Sequence, residues 1–101
     1  MKGEVYRLPA RGKCHEQKGR RYAVVLQPDW LILSTWIVAF TSTSARETSF
    51  RPPVTIADRA TLVMCDQLDT VDLNRLTAPA GCLTIEEMQR VDDALALVLD
   101  L

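Results

Sequence analysis

The densest chemistry in the chain is the run His15-Glu16-Gln17-Lys18-Gly19-Arg20-Arg21, which empties directly into the apolar Tyr22-Ala23-Val24-Val25-Leu26-Gln27. Within seven residues it holds an imidazole that titrates near neutrality, a carboxylate, an amide and three cations. Such a set suits acid/base work and the binding of an anion such as phosphate, with a rigid strand behind it. A second polar run, Thr41-Ser42-Thr43-Ser44, follows the apolar Trp36-Ile37-Val38-Ala39-Phe40. It places hydroxyls at another strand end. A threonine at a strand end is, on its own, a turn former.

Other chemistries lack their residues. Cys14, Cys65 and Cys82 are too few and too scattered for a disulfide framework and form no C-x-x-C pair. His15 is the one histidine, too little for a zinc site, and no metal or cofactor is expected. Its neighbour Cys14 suggests a Cys/His nucleophile, but adjacent loop residues point apart and nothing orients the ring, so free thiols in a reducing cytosol are expected. No Gly-rich phosphate loop, no carboxylate cluster for two metals and no G-x-S-x-G is present.

Formal net charge is −1, yet it divides sharply. Residues 1–21 hold seven Lys/Arg against Glu4 and Glu16, a balance of +5, and the remainder is −6. Because salt screens charges beyond about 8–10 Å, a polyanion feels the local patch rather than the total. The basic segment therefore serves equally as a solvated loop or as a phosphate-binding edge.

The elements that must position these residues are short. At 101 residues, 48% apolar and 25% charged, the chain has the size and composition of one globular domain, 1–101. No apolar run approaches the roughly 18 residues of a membrane span, and a cytoplasmic protein is expected. Strands are expected at Val5–Leu8, Tyr22–Gln27, Thr35–Phe40, Val54–Ile56 and Ala60–Cys65, with a short last one at Gln67–Val71. Pro9–Gly19 reads as a long loop, Trp30–Leu33 as a turn or the start of a strand, and Asp72–Leu76 as one helical turn. Pro79 and Gly81 read as a break. Thr84 with Glu87 forms a capping box ahead of a helix whose Met88, Val91, Leu95 and Val98 make one apolar stripe. Ala94, Leu97 and Leu101 widen it, so the helix either is fully buried or meets a second subunit. Short strands and one C-terminal helix indicate a small, strongly bent β-barrel with a helix packed on it.

Taken together, Lys2-Gly3-Glu4-Val5-Tyr6, the run from His15 to Gln27, Asp66-Gln67-Leu68-Asp69-Thr70-Val71, and the helix from Glu86-Glu87-Met88 to Leu101 resemble the MazF/PemK family of toxin endoribonucleases. The resemblance covers essentially the whole chain. It implies an SH3-like barrel of mainly β (α+β) class and the toxin of a type II toxin–antitoxin system. It implies cleavage of single-stranded RNA, mRNA or tRNA, without a metal, through attack by the 2′-hydroxyl. Its implied partners are single-stranded RNA, a MazE-like antitoxin and a second copy of the chain in a homodimer. By position, Arg21 matches the family's catalytic Arg and Thr41 its strand-end Thr. Glu16 matches the loop Glu, either as a base or as an ion-pair partner of Arg20 or Arg21. His15, Gln17, Lys18, Arg20, Ser42 and Thr43 are the expected RNA contacts. Trp30, Phe50, Tyr6 and Tyr22 are the aromatics available to splayed bases. Two positions depart from the pattern: Tyr22 stands where the family has Pro, and Asp69 where many relatives have Arg. A related gyrase poison with the same barrel, and a plain nucleic-acid-binding module, are the alternatives.

Overall fold

The computed structural model describes residues 1–9 and 20–101. Six strands form one antiparallel sheet in the order β4-β5-β3-β2-β1-β6. They are β1 (Glu4–Pro9), β2 (Arg20–Val25), β3 (Thr35–Ser42), β4 (Pro53–Ile56), β5 (Arg59–Asp72) and β6 (Pro79–Cys82), and helix α1 is Ile85–Leu99. The two edge strands, β4 and β6, come into contact, so the sheet curls into a nearly closed barrel with one C-terminal helix. No helix among the described residues is long and apolar enough to cross a membrane.

β2 explains why the barrel needs two cores. Its Ala23, Val24 and Val25 are all fully buried, because the strand is covered on both faces. Val24 joins Val5, Ala39, Val63, Cys65, Val91 and Ala94 in a cluster that includes helix α1. Ala23 and Val25 face the other way, onto Leu8, Val38, Phe40 and Val71. Strand alternation divides the two clusters residue by residue. Trp36 packs partly buried against the second cluster.

Helix α1 forms where its sequence signals place it. Thr84 accepts a hydrogen bond from the Glu87 N–H at 3.0 Å, and the Glu87 carboxylate accepts one from the Thr84 N–H at 2.9 Å. Val91 and Ala94 are buried, Met88 and Leu95 pack partly buried against the core, and Leu97, Val98, Leu99 and Leu101 are exposed. The helix is therefore not fully buried, and the described chain leaves its C-terminal turn uncovered.

Two local readings are corrected, and Trp30–Leu33, which reads as a turn or a strand start, is the turn. Ala60–Cys65 and Gln67–Val71 are not two strands but parts of one 14-residue β5. Its pairing with β3 shifts register between Ala39 and Thr41, so polar Asp66 and Gln67 sit at a bend rather than at a break. Pro79 and Gly81 do not end the sheet: β6 runs through them as an edge strand beside β1, where the missing proline N–H costs nothing and Gly81 takes φ +133°. Trp30–Leu33 starts no strand. Trp30 is 78% exposed, and this connection is held by buried Gln27, whose Nε2 donates to the Leu31 carbonyl at 2.8 Å while its Oε1 accepts from the Ile37 N–H at 3.2 Å. The single helical turn is a 3-10 turn at Leu73–Arg75.

Candidate nucleic-acid interface

β2 opens at Arg20, and its second residue, Arg21, lies opposite Leu8 of β1. The Arg21 guanidinium carbon stands 4.2 Å from the centroid of the Phe40 ring. Phe40 is opposite Ala23 in the β2–β3 register and is itself nearly buried among the residues of the second cluster. Arg21 Nε is buried with no hydrogen-bond partner among the described residues. A cation in that position is stabilised by the ring face.

One residue further along β3, the alternation turns Thr41 to the opposite face. There Thr41, Tyr22, Ser42, Thr43, Ser44 and Thr61 line a pocket of about 110 Å³. Thr41 and Thr61 are buried, and the Thr61 Oγ1 has no partner. The hydroxyl lining suits a phosphate oxygen or a ribose hydroxyl. Ser42 Oγ accepts from the Ser44 and Ala45 N–H groups at 3.2 and 3.1 Å, which folds the start of the loop back on itself.

Of the expected site residues, Thr41, Ser42 and Thr43 come together around Tyr22. Arg21 faces away from Thr41 and Tyr22, onto Phe40. Extending the register Ala23↔Phe40 by two residues puts Tyr22 beside Thr41 and Arg21 beside Ser42, all at one end of the sheet. His15, Glu16, Gln17 and Lys18, and the Arg20 side chain, lie outside the described residues.

The register also places a residue that sequence reasoning counted only as charge. Arg7 is opposite Tyr22 and exposed, so the face that carries Tyr22 and Thr41 carries a cation on β1 as well. Thr61 is a second addition, brought beside Thr41 through the β3–β5 pairing Thr41↔Val63. Neither carried a signal in the sequence, since cross-strand neighbours are set by register and not by spacing. The aromatics separate too. Trp30 is exposed at the β2–β3 connection, Tyr6 donates to Glu4 Oε1 at 3.0 Å, Phe50 lies under Arg51, and only Tyr22 lines the pocket. Asp69 is exposed, and its Oδ1 accepts from the Thr70 N–H. Among the described residues no three His, Cys, Asp or Glu side chains converge as metal ligands would.

With this geometry in hand, similarity to known proteins is extensive. The chain is 37% identical, over its whole length and 98% of the relative's, to a Mycobacterium tuberculosis protein named as a candidate toxin. A mycobacterial endoribonuclease solved in complex with its cognate antitoxin superposes with a TM-score of 0.83 at 19% identity, over 100% of this chain and 95% of that one. The M. tuberculosis toxin MazF-mt6 gives a TM-score of 0.74 at 20% identity, over 95% and 97% of the two chains. MazF from the MazE-MazF structure of Deinococcus radiodurans gives 0.75 at 21%, over 99% and 95%. At those identities the solved structures establish the barrel. Residues 1–99 match the sequence model of the PemK-like, MazF-like toxins of type II toxin-antitoxin systems, and the chain belongs to that family.

Proposed function

We propose that the chain is a sequence-selective endoribonuclease that cuts single-stranded RNA, mRNA or tRNA, without a metal ion. The observation that carries this reading is the Arg21 guanidinium, seated on Phe40 at the same sheet end as the Thr41 hydroxyl and paired with no described carboxylate. RNA supplies its own nucleophile. The 2′-oxygen attacks the adjacent phosphorus, its proton passes to a base, the P–O5′ bond breaks, and the leaving oxygen takes up a proton. The products are a 2′,3′-cyclic phosphate and a 5′-hydroxyl. Such a reaction asks the protein for positioning, acid/base groups and fixed positive charge.

Arg21 stabilises the charge that builds on the non-bridging oxygens, which its planar fork can hold in pairs. Thr41 donates to a phosphate oxygen or holds the 2′-hydroxyl. Glu16, His15, Gln17, Lys18 and Arg20 complete the site from the preceding segment, with Ser42 and Thr43 beside Thr41. Glu16 is either the base or the ion-pair partner that shapes the loop. In a cell the chain acts as a homodimer in the cytoplasm, and a cognate antitoxin silences it by occupying the basic edge. The similarity to an endoribonuclease solved with its antitoxin supports that assignment.

The test is incubation of a long single-stranded RNA with the purified chain in EDTA, beside Arg21→Ala. Cleavage by the unsubstituted chain that drops roughly 100- to 1,000-fold in the variant is expected. No cleavage, equal cleavage by both, or gyrase inhibition without cleavage would overturn the reading.

A further inference from the structure

We infer that Phe40 is a positioning residue for the reaction: its ring face holds the Arg21 guanidinium without using any of the N–H groups that would bind phosphate. The inference rests on Arg21 being the cation that stabilises the phosphate.

Two arginines among the described residues sit on phenylalanine rings, and they differ in the way that matters. Arg51 lies 5.6 Å from the Phe50 centroid, but its Nε and Nη2 donate to the two Asp66 carboxylate oxygens at 3.1 and 2.9 Å. Its Nη1 donates to the Arg46 carbonyl. That guanidinium has three of its five N–H groups engaged and its charge paired, and its work is structural. Arg21 lies closer to its ring, at 4.2 Å, and no described hydrogen bond or ion pair engages it. A carboxylate at Arg21 would occupy two N–H groups and compete with phosphate for the rest. A ring face attracts the cation through its quadrupole and uses no N–H at all.

Phe40 is also fixed. It is 9% exposed and packed with Leu8, Ala23 and Val38, so the platform moves little. The buried Nε marks the inner edge of the guanidinium against it. Arg21 stands at the same end of the sheet as Thr41, which begins the hydroxyl-lined pocket on the other face. Arg21 reaches the transition state already placed against the ring.

The experiment replaces Phe40 site-specifically in the full chain with 4-fluoro-, 3,5-difluoro- and 3,4,5-trifluorophenylalanine. These keep the ring's shape and withdraw its negative face in steps. Phe40→Leu is the genetically encoded companion. Three quantities are read: the thermal midpoint, kcat and KM on single-stranded RNA, and the Arg21 Nε–H resonance by NMR. The expected result is a midpoint that holds through the fluorinated series while kcat falls stepwise, by about 3- to 30-fold overall, and the Arg21 resonance moves in parallel. An unchanged kcat and resonance across the series would overturn the inference and leave Phe40 a plain core residue. So would a resonance that ignores the ring and follows Glu16→Gln. If the unsubstituted chain cleaves no RNA, the proposed function fails separately. The ring's hold on Arg21 then stands or falls on the resonance alone.

Discussion

Asp66 takes two hydrogen bonds from Arg51, and through them the bend of β5 is tied to the segment that leads into β4. The same guanidinium reaches the Arg46 carbonyl, so one side chain braces the hydroxyl-rich loop from behind. The bond to Arg51 holds the Asp66 carboxyl below the usual carboxylate range. A folded-state value below the unfolded one contributes stability that is complete above the unfolded value and is lost as pH falls through the folded one. Asp66→Asn therefore lowers the thermal midpoint by about 2–5 °C at pH 7 and makes little difference at pH 2–3. Parallel melts of the two proteins across pH check this, and a constant difference at all pH values would contradict it.

Glu87 performs two tasks at once. Burial pushes its carboxyl up, but hydrogen bonds from the Thr84 and Thr55 N–H groups outweigh that and hold it low overall. One oxygen closes the helix cap and the other accepts from β4 at 2.9 Å. Removing the cap hydroxyl alone, Thr84→Ala, costs about 1 kcal/mol, or roughly 4–8 °C. Glu87→Ala keeps its N–H bond to the Thr84 hydroxyl but loses the carboxylate's half of the cap and the clamp to β4, so its melting temperature falls further, with Glu87→Gln between the two. Urea titrations that rank Thr84→Ala below Glu87→Ala would show that the clamp to Thr55 contributes nothing.

The helix and four strands were legible because their signals are local: a capping box, a 3- and 4-residue apolar spacing, and β-branched runs. What escaped depends on partners distant in sequence. β6 is four residues containing Pro79 and Gly81, and it is a strand only because β1 offers it an edge. The unity of β5 was hidden by Asp66, whose ion pair makes a polar residue tolerable at the bend. At the site, Arg21 and Thr41 could be named from the motif, but their opposite faces and the Phe40 platform follow from the Ala23↔Phe40 register. No spacing along one strand reveals that.

Cys65 and Cys82 should differ sharply toward alkylation. Cys65 is fully buried, and burial, with Asp66 and Asp92 nearby, pushes its thiol up to about 11. At pH 8 it carries almost no thiolate and offers no access, whereas Cys82 is exposed. Iodoacetamide at pH 8 therefore labels Cys82 within minutes and leaves Cys65 unmodified until denaturant is added, read by peptide mass spectrometry. Early labelling of Cys65 would mean that the helix opens from the sheet far more readily than its packing implies.

Arg21 gives the sharpest separation of stability from activity. Its Nε is buried without a described partner, and such a donor costs the fold about 1–3 kcal/mol of lost hydration, offset in part by the Phe40 ring. Replacing it with an unbranched apolar side chain removes the unsatisfied group and keeps the packing over Phe40. Arg21→Met should thus melt at the same temperature as the unsubstituted chain or a few degrees above it. Its kcat on RNA should fall roughly 100- to 1,000-fold, because the phosphate loses its fixed cation. A structural arginine behaves the other way, with activity lost only as far as the fold is lost. A melting temperature that drops together with kcat would place Arg21 among the residues that hold the barrel's rim.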